Sequence, residues 1–73
     1  SGLRARMTEL QNEIDAMETR FAEISALQAQ PDAYSSGAVT PEISAEGKRI
    51  EQSLPALLDE WQKVAEEHES LSA

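Results

Sequence analysis

The sequence predicts an all-α protein, a two-helix antiparallel coiled-coil hairpin, and three observations carry that expectation. An apolar heptad runs through Leu3, Met7, Leu10, Ile14, Met17, Phe21 and Ile24. A second runs through Ile43, Ile50, Leu54, Leu57, Trp61, Val64 and Leu71. Steps alternating between three and four residues are those of an a/d coiled-coil seam. Between the two lies Pro31 to Thr40, rich in Pro, Ser and Gly, which reads as a hairpin tip.

The first arm is expected over residues 3–30. No Pro or Gly interrupts it, and Ala, Leu, Met, Glu, Gln and Arg dominate, all good helix formers. Such a helix spans about 40 Å at about 1.5 Å per residue. Its outward face carries Glu9, Glu13, Asp15, Glu18 and Glu23 among Arg4, Arg6 and Arg20, a solvated charged surface in which Arg20 and Glu23 are spaced to pair. Pro31 ends the arm, because proline lacks a backbone N–H and biases Gln30 away from helical dihedrals.

The turn is expected over residues 31–40, with Asp32 capping a short turn through Tyr34. Tyr34 is expected to cover Ile43 and the end of the first arm, with stacking on a nucleobase as the alternative. Thr40-Pro41-Glu42 is a helix start. The hydroxyl caps, proline sits where its missing N–H costs nothing, and an acid meets the positive helix end. The second arm therefore runs over residues 41–71. Pro55 lies inside it and predicts a kink or a brief break at Gln52 to Leu54, since the Glu51 carbonyl loses its partner. Leu54 holds the seam and Pro55 falls beside it on the outward side, so both halves remain one arm.

Folding the arms antiparallel fixes a register. Met7 meets Val64, Leu10 meets Trp61, Ile14 meets Leu57, Met17 meets Leu54, Phe21 meets Ile50 and Ile24 meets Gly47; all six pairs share one residue-number sum. The mirror point lies between Ser35 and Ser36, inside the turn found from its chemistry, so two independent signals agree. Gly47 opposite Ile24 implies either a close helix approach or a weak layer. His68 opposite Leu3 and Gln28 opposite Ile43 are polar seam positions near the ends, where water reaches.

Composition bounds the function. The chain of 73 residues holds one small domain with a thin core, 1–73, and contains no cysteine, so neither a disulfide nor a thiolate site can brace it. Six Lys and Arg against fourteen Asp and Glu leave a charge of −8, which opposes tight non-specific binding to a phosphate backbone. No apolar run approaches the roughly 20 residues of a membrane span, and the start lacks a signal-peptide layout. A cytoplasmic location is expected. The chain opens Ser1-Gly2 without an initiator Met while a heptad already runs at Leu3, so it is expected to be a piece of a longer protein.

The residues do not form a catalytic constellation. Gly47-Lys48-Arg49 resembles a phosphate loop but lacks a Gly five residues before Gly47 and a Ser or Thr after Lys48, and falls within a helix. His68 is the sole imidazole and reads as a spacer at a frayed end. Asp59-Glu60 and Glu66-Glu67 are neighbours on a helix and diverge, which suits a solvated face rather than paired acid–base work. The His and Cys count does not support a metal site. No enzyme activity, cofactor or metal is expected of this chain. Arg20, Lys48 and Arg49 are the candidate nucleic-acid-binding residues: the register puts them at similar levels of the tip-proximal half, where they would contact phosphate. The competing arrangement is neutralisation, with Arg49 on Glu46 and Arg20 on Glu23.

Three stretches carry a family resemblance: Leu10 to Glu18 on the first arm, Gln30-Pro31-Asp32-Ala33-Tyr34-Ser35-Ser36 at the turn, and Leu58 to Val64 with Trp61 on the second. They resemble the C-terminal coiled-coil domain of ABC-F ATPases of the Uup type, soluble tandem-cassette ABC transporter ATP-binding proteins. The Pro-Asp-x-Tyr turn and Trp61 are its specific elements. The resemblance implies a hairpin appended after two nucleotide-binding cassettes. The cassettes would bind ATP and Mg, and the hairpin would assist engagement of DNA, ribosomal RNA or a ribosomal surface. The alternative is a generic protein-interaction hairpin of a larger protein, monomeric or weakly dimeric. The acidity predicts weak DNA binding by the hairpin alone.

Overall fold

The computed structural model describes residues 2–72; Ser1 and Ala73 lie outside the described residues. Two helices, α1 (Gly2–Gln28) and α2 (Pro41–Ser72), pack along each other as a hairpin. The molecule measures 55 × 15 × 15 Å, with a radius of gyration of 16.4 Å. A globule of this length would have about 11 Å. The fold is therefore a rod, two helices wide, with its core along the seam between them.

Burial follows the predicted seam. Leu10, Ile14, Ile24 and Ile50 are buried, joined by Ala33 and Val39 from the connection. Register is decided at Ile24 and Gly47: a Cβ built on Gly47 would lie 3.3 Å from Ile24 Cγ2. That distance marks a close helix approach, which resolves the choice left open by the sequence. The absent side chain leaves room for the Ile24 side chain to pack directly over the Gly47 backbone at the tip-proximal layer.

The first helix ends at Gln28, two residues short of the expected 30. Ala29 N–H still donates to the Ser25 carbonyl at 3.1 Å, but Gln30 N–H donates to Leu27 at 3.2 Å, a tighter three-residue step. Pro31 restricts Gln30, so the last turn tightens before the chain leaves the axis. The connection closes by Val39 N–H donating to the Ala33 carbonyl at 3.0 Å, and Gly37 takes φ +81°, a left-handed conformation that favours glycine. Asp32 supports the turn through its backbone carbonyl, which accepts from Ser36 N–H at 2.8 Å.

Tyr34 departs from expectation. It is 66% exposed, and the residues that tuck against the helix ends are Ala33 and Val39. Their small apolar side chains fit between converging helices, whereas a phenol's hydroxyl favours water. At the start of α2 the cap is as predicted: Thr40 Oγ1 accepts Ile43 N–H at 3.2 Å and its carbonyl accepts Ser44 N–H at 3.0 Å. The helix then runs unbroken through Pro55, which is exposed, so no break occurs at Gln52 to Leu54. On an outward face water can satisfy the released Glu51 carbonyl, and the seam on the opposite side holds both halves in one helix.

Candidate functional site

Lettering Met7, Ile14 and Phe21 as a positions and Leu3, Leu10, Met17 and Ile24 as d gives the hairpin two distinct flanks. One is formed by g positions of both helices. Arg20 lies there and donates from Nε to Glu46 Oε2 at 2.8 Å and from Nη2 to Glu46 Oε1 at 2.9 Å, a bidentate bridge between α1 and α2. Its Nη1 also reaches Glu23 Oε2 at 3.3 Å. Two heptads away, Arg6 bridges to Glu60 across the same flank and to Glu9 on its own helix. The forked guanidinium matches the carboxylate plane, which makes these bonds directional as well as ionic.

The electrostatics follow from this pairing. Hydrogen bonding to Glu46 raises the Arg20 pKa, opposed by desolvation and supported by the charges of Glu46 and Glu23. The reciprocal bond holds the Glu46 carboxyl below its usual range, with Arg49 adding a weaker attraction. Hydrogen bonding to Glu60 raises Arg6 in the same way.

The other flank is formed by e positions and differs in character. A groove of about 370 Å³ opens on it near the tip, lined by Phe21, Ile24, Gln28, Tyr34, Ser44, Gly47, Lys48 and Glu51. Gly47 creates it, since an a position without a side chain leaves the floor to Phe21 and Ile24. Further along, Leu58 takes an e position and is 46% exposed. The two flanks thus contrast: interhelical ion pairs seal one, and apolar surface opens on the other.

The three sequence-predicted site residues are divided between these flanks. Arg20 and Arg49 lie on the sealed side, where Arg20 is committed to Glu46 and Glu23 and Arg49 acts on Glu46. Lys48 lies on the open side, at the groove. Lys48 and Arg49 are neighbours on a helix and so point about 100° apart. Gly47-Lys48-Arg49 is mid-helix in α2, not a loop after a strand. Among the described residues no group of His, Cys, Asp and Glu is placed to hold a metal ion, and no helix is long and apolar enough to cross a membrane.

No protein family, characterised protein or solved structure matches this chain. The site must therefore be read from its own chemistry. Sequence reasoning missed the groove and Leu58. Two signals pointed to them: glycine at a seam position, and leucine one residue past a d position, where a two-helix coil has no use for it.

Proposed function

We propose that the chain is a non-catalytic accessory hairpin of a larger protein, of the kind appended to tandem-cassette ABC-F ATPases of the Uup type, assisting engagement of a nucleic-acid or ribosomal surface. One observation carries this reading: a stiff rod 55 Å long ends in the Pro-Asp-x-Tyr turn with Tyr34 exposed at its tip. A rod of this shape holds its tip at a set distance from whatever anchors its ends. ATP and Mg belong, on this reading, to the cassettes of the parent, which works in the cytoplasm.

The isolated hairpin binds DNA weakly. With Arg20 held by two carboxylates, Lys48 and Arg49 remain as tip-proximal cations, and two phosphate contacts give a salt slope of about −2 on a duplex. The parent's cassettes or a ribosomal surface supply the rest of the affinity. The decisive observation is the parent sequence upstream, which must encode two ATP-binding cassettes. In the isolated chain, Lys48→Glu with Arg49→Glu should abolish residual DNA binding and leave helicity unchanged. Tight, salt-steep binding, or binding indifferent to the double change, would refute this placement of the contact surface. A protein-interaction hairpin is the second reading, favoured specifically by the open flank around Leu58.

A further inference from the structure

We infer that the open flank is a docking surface for a basic amphipathic helix, which would lie along the hairpin and complete a three-helix bundle. This surface meets the tip contacts proposed above only at Lys48, which borders both, and does not depend on nucleic-acid binding there.

The first support is the asymmetry of the two flanks. In a free-standing two-helix coil both flanks face water and gain equally from charged residues that cross the seam. Here the g flank holds Arg6–Glu60 and Arg20–Glu46, the two interhelical ion pairs among the described residues. The e positions of α2 are instead Ser44, Glu51, Leu58 and Ala65. On the open side the a positions Phe21, Leu54 and Trp61 are half-buried, so part of their apolar surface stays within reach of solvent. Apolar side chains thus recur on this flank from the groove at Gly47 past Leu54, Leu58 and Trp61 to Ala65, about 27 Å along the helix, with Glu51 as the one charged e position of α2. That length matches a partner helix of about five turns with apolar residues at i, i+3, i+4 and i+7.

Charge selects the occupant. Asp15 and Glu18 border the stripe on α1, and Glu51 with Lys48 borders it on α2, so three carboxylates face one amine. None of these three carboxylates is in an ion pair among the described residues. A helix bordered by Lys and Arg supplies the missing partners. A second copy of this chain would bring its own acidic border, with −8 on each molecule, and like charges set face to face disfavour that complex. A nucleic acid meets the same repulsion.

The test uses the ¹⁵N-labelled chain and two synthetic amphipathic peptides of about five turns. They share one leucine stripe, bordered by lysines in one peptide and by glutamates in the other. The lysine-bordered peptide should shift the amides of residues 44–65 and change the emission of Trp61, the sole tryptophan. Leu58→Glu, at an exposed position that does not threaten folding, should weaken this binding about tenfold or more, the equivalent of about 1.4 kcal/mol. Glu18→Lys with Glu51→Lys should reverse the preference to the glutamate-bordered peptide. The inference is overturned if neither peptide moves those amides or if both bind alike. It is equally overturned if sedimentation shows a dimer that Leu58→Glu dissolves, or if an oligonucleotide rather than a peptide shifts the amides of residues 51–65, beyond Lys48 and Arg49.

Discussion

Replacing Leu10 by alanine tests whether one seam really holds the hairpin. Leu10 is 0% exposed, in the layer that the sequence register sets opposite Trp61. Removing three carbons from a closed site costs the lost transfer free energy plus the cavity left behind, about 3 kcal/mol for a fully buried leucine. Stability of roughly 0.05 to 0.15 kcal/mol per residue gives a chain of this length about 4 to 11 kcal/mol. A rod with four buried seam residues belongs near the bottom of that span, so Leu10→Ala removes most of it. At about 4 to 8 °C per kcal/mol for a domain of this size, the midpoint should fall by about 12 to 24 °C. Leu58→Ala is the control: 46% exposed and outside the seam, it should cost less than about 1 kcal/mol. Thermal and urea unfolding followed by circular dichroism, at two protein concentrations, reads both. Equal effects of the two substitutions would refute the two-helix core. So would a Leu10→Ala midpoint that rises with concentration, because stability would then reside in an intermolecular contact.

Gly37→Ala should destabilise by about 1 kcal/mol, read by the same melts, because φ is +81° while the surrounding space is open, so the cost is purely backbone. Thr40→Ala should cost about 1 kcal/mol and raise amide exchange at Ile43, whose N–H loses its acceptor. Acid titration should show a contribution from Glu46. Its folded pKa lies below the unfolded value, so the stabilisation is complete above the ordinary glutamate range near 4.5 and is lost as pH falls through the folded pKa. Glu46→Gln should flatten that part of the pH profile. Arg20, raised in the fold, stays charged throughout and contributes no slope there. A profile unchanged by Glu46→Gln would mean the bridge is not formed in solution.

Much of the architecture was legible in the residues because coiled coils are built from local periodicity. The a/d spacing, the cap at Thr40 and the breaker at Pro31 each act within a few residues. Their agreement on a mirror point was enough to pair Ile24 with Gly47, which are in contact in the fold. Proline chemistry predicted less well. Pro31 ended α1 two residues earlier than expected, and Pro55 did not break α2. A lost hydrogen bond is severe only where neither water nor packing compensates, and exposure is not a local property.

What the sequence determined by itself was therefore the hairpin, its register and its acidity, all properties of pattern and count. Tertiary structure alone decided which charges cancel. Arg20 had Glu23 available on its own helix, but the antiparallel packing also brought Glu46 across from α2 and gave the guanidinium a bidentate partner. The same packing separated Lys48 from Arg20 by placing them on opposite flanks, and turned a missing side chain at Gly47 into a groove. These outcomes depend on which face of one helix meets which face of the other, a relation between residues distant in the chain that periodicity within either helix does not contain.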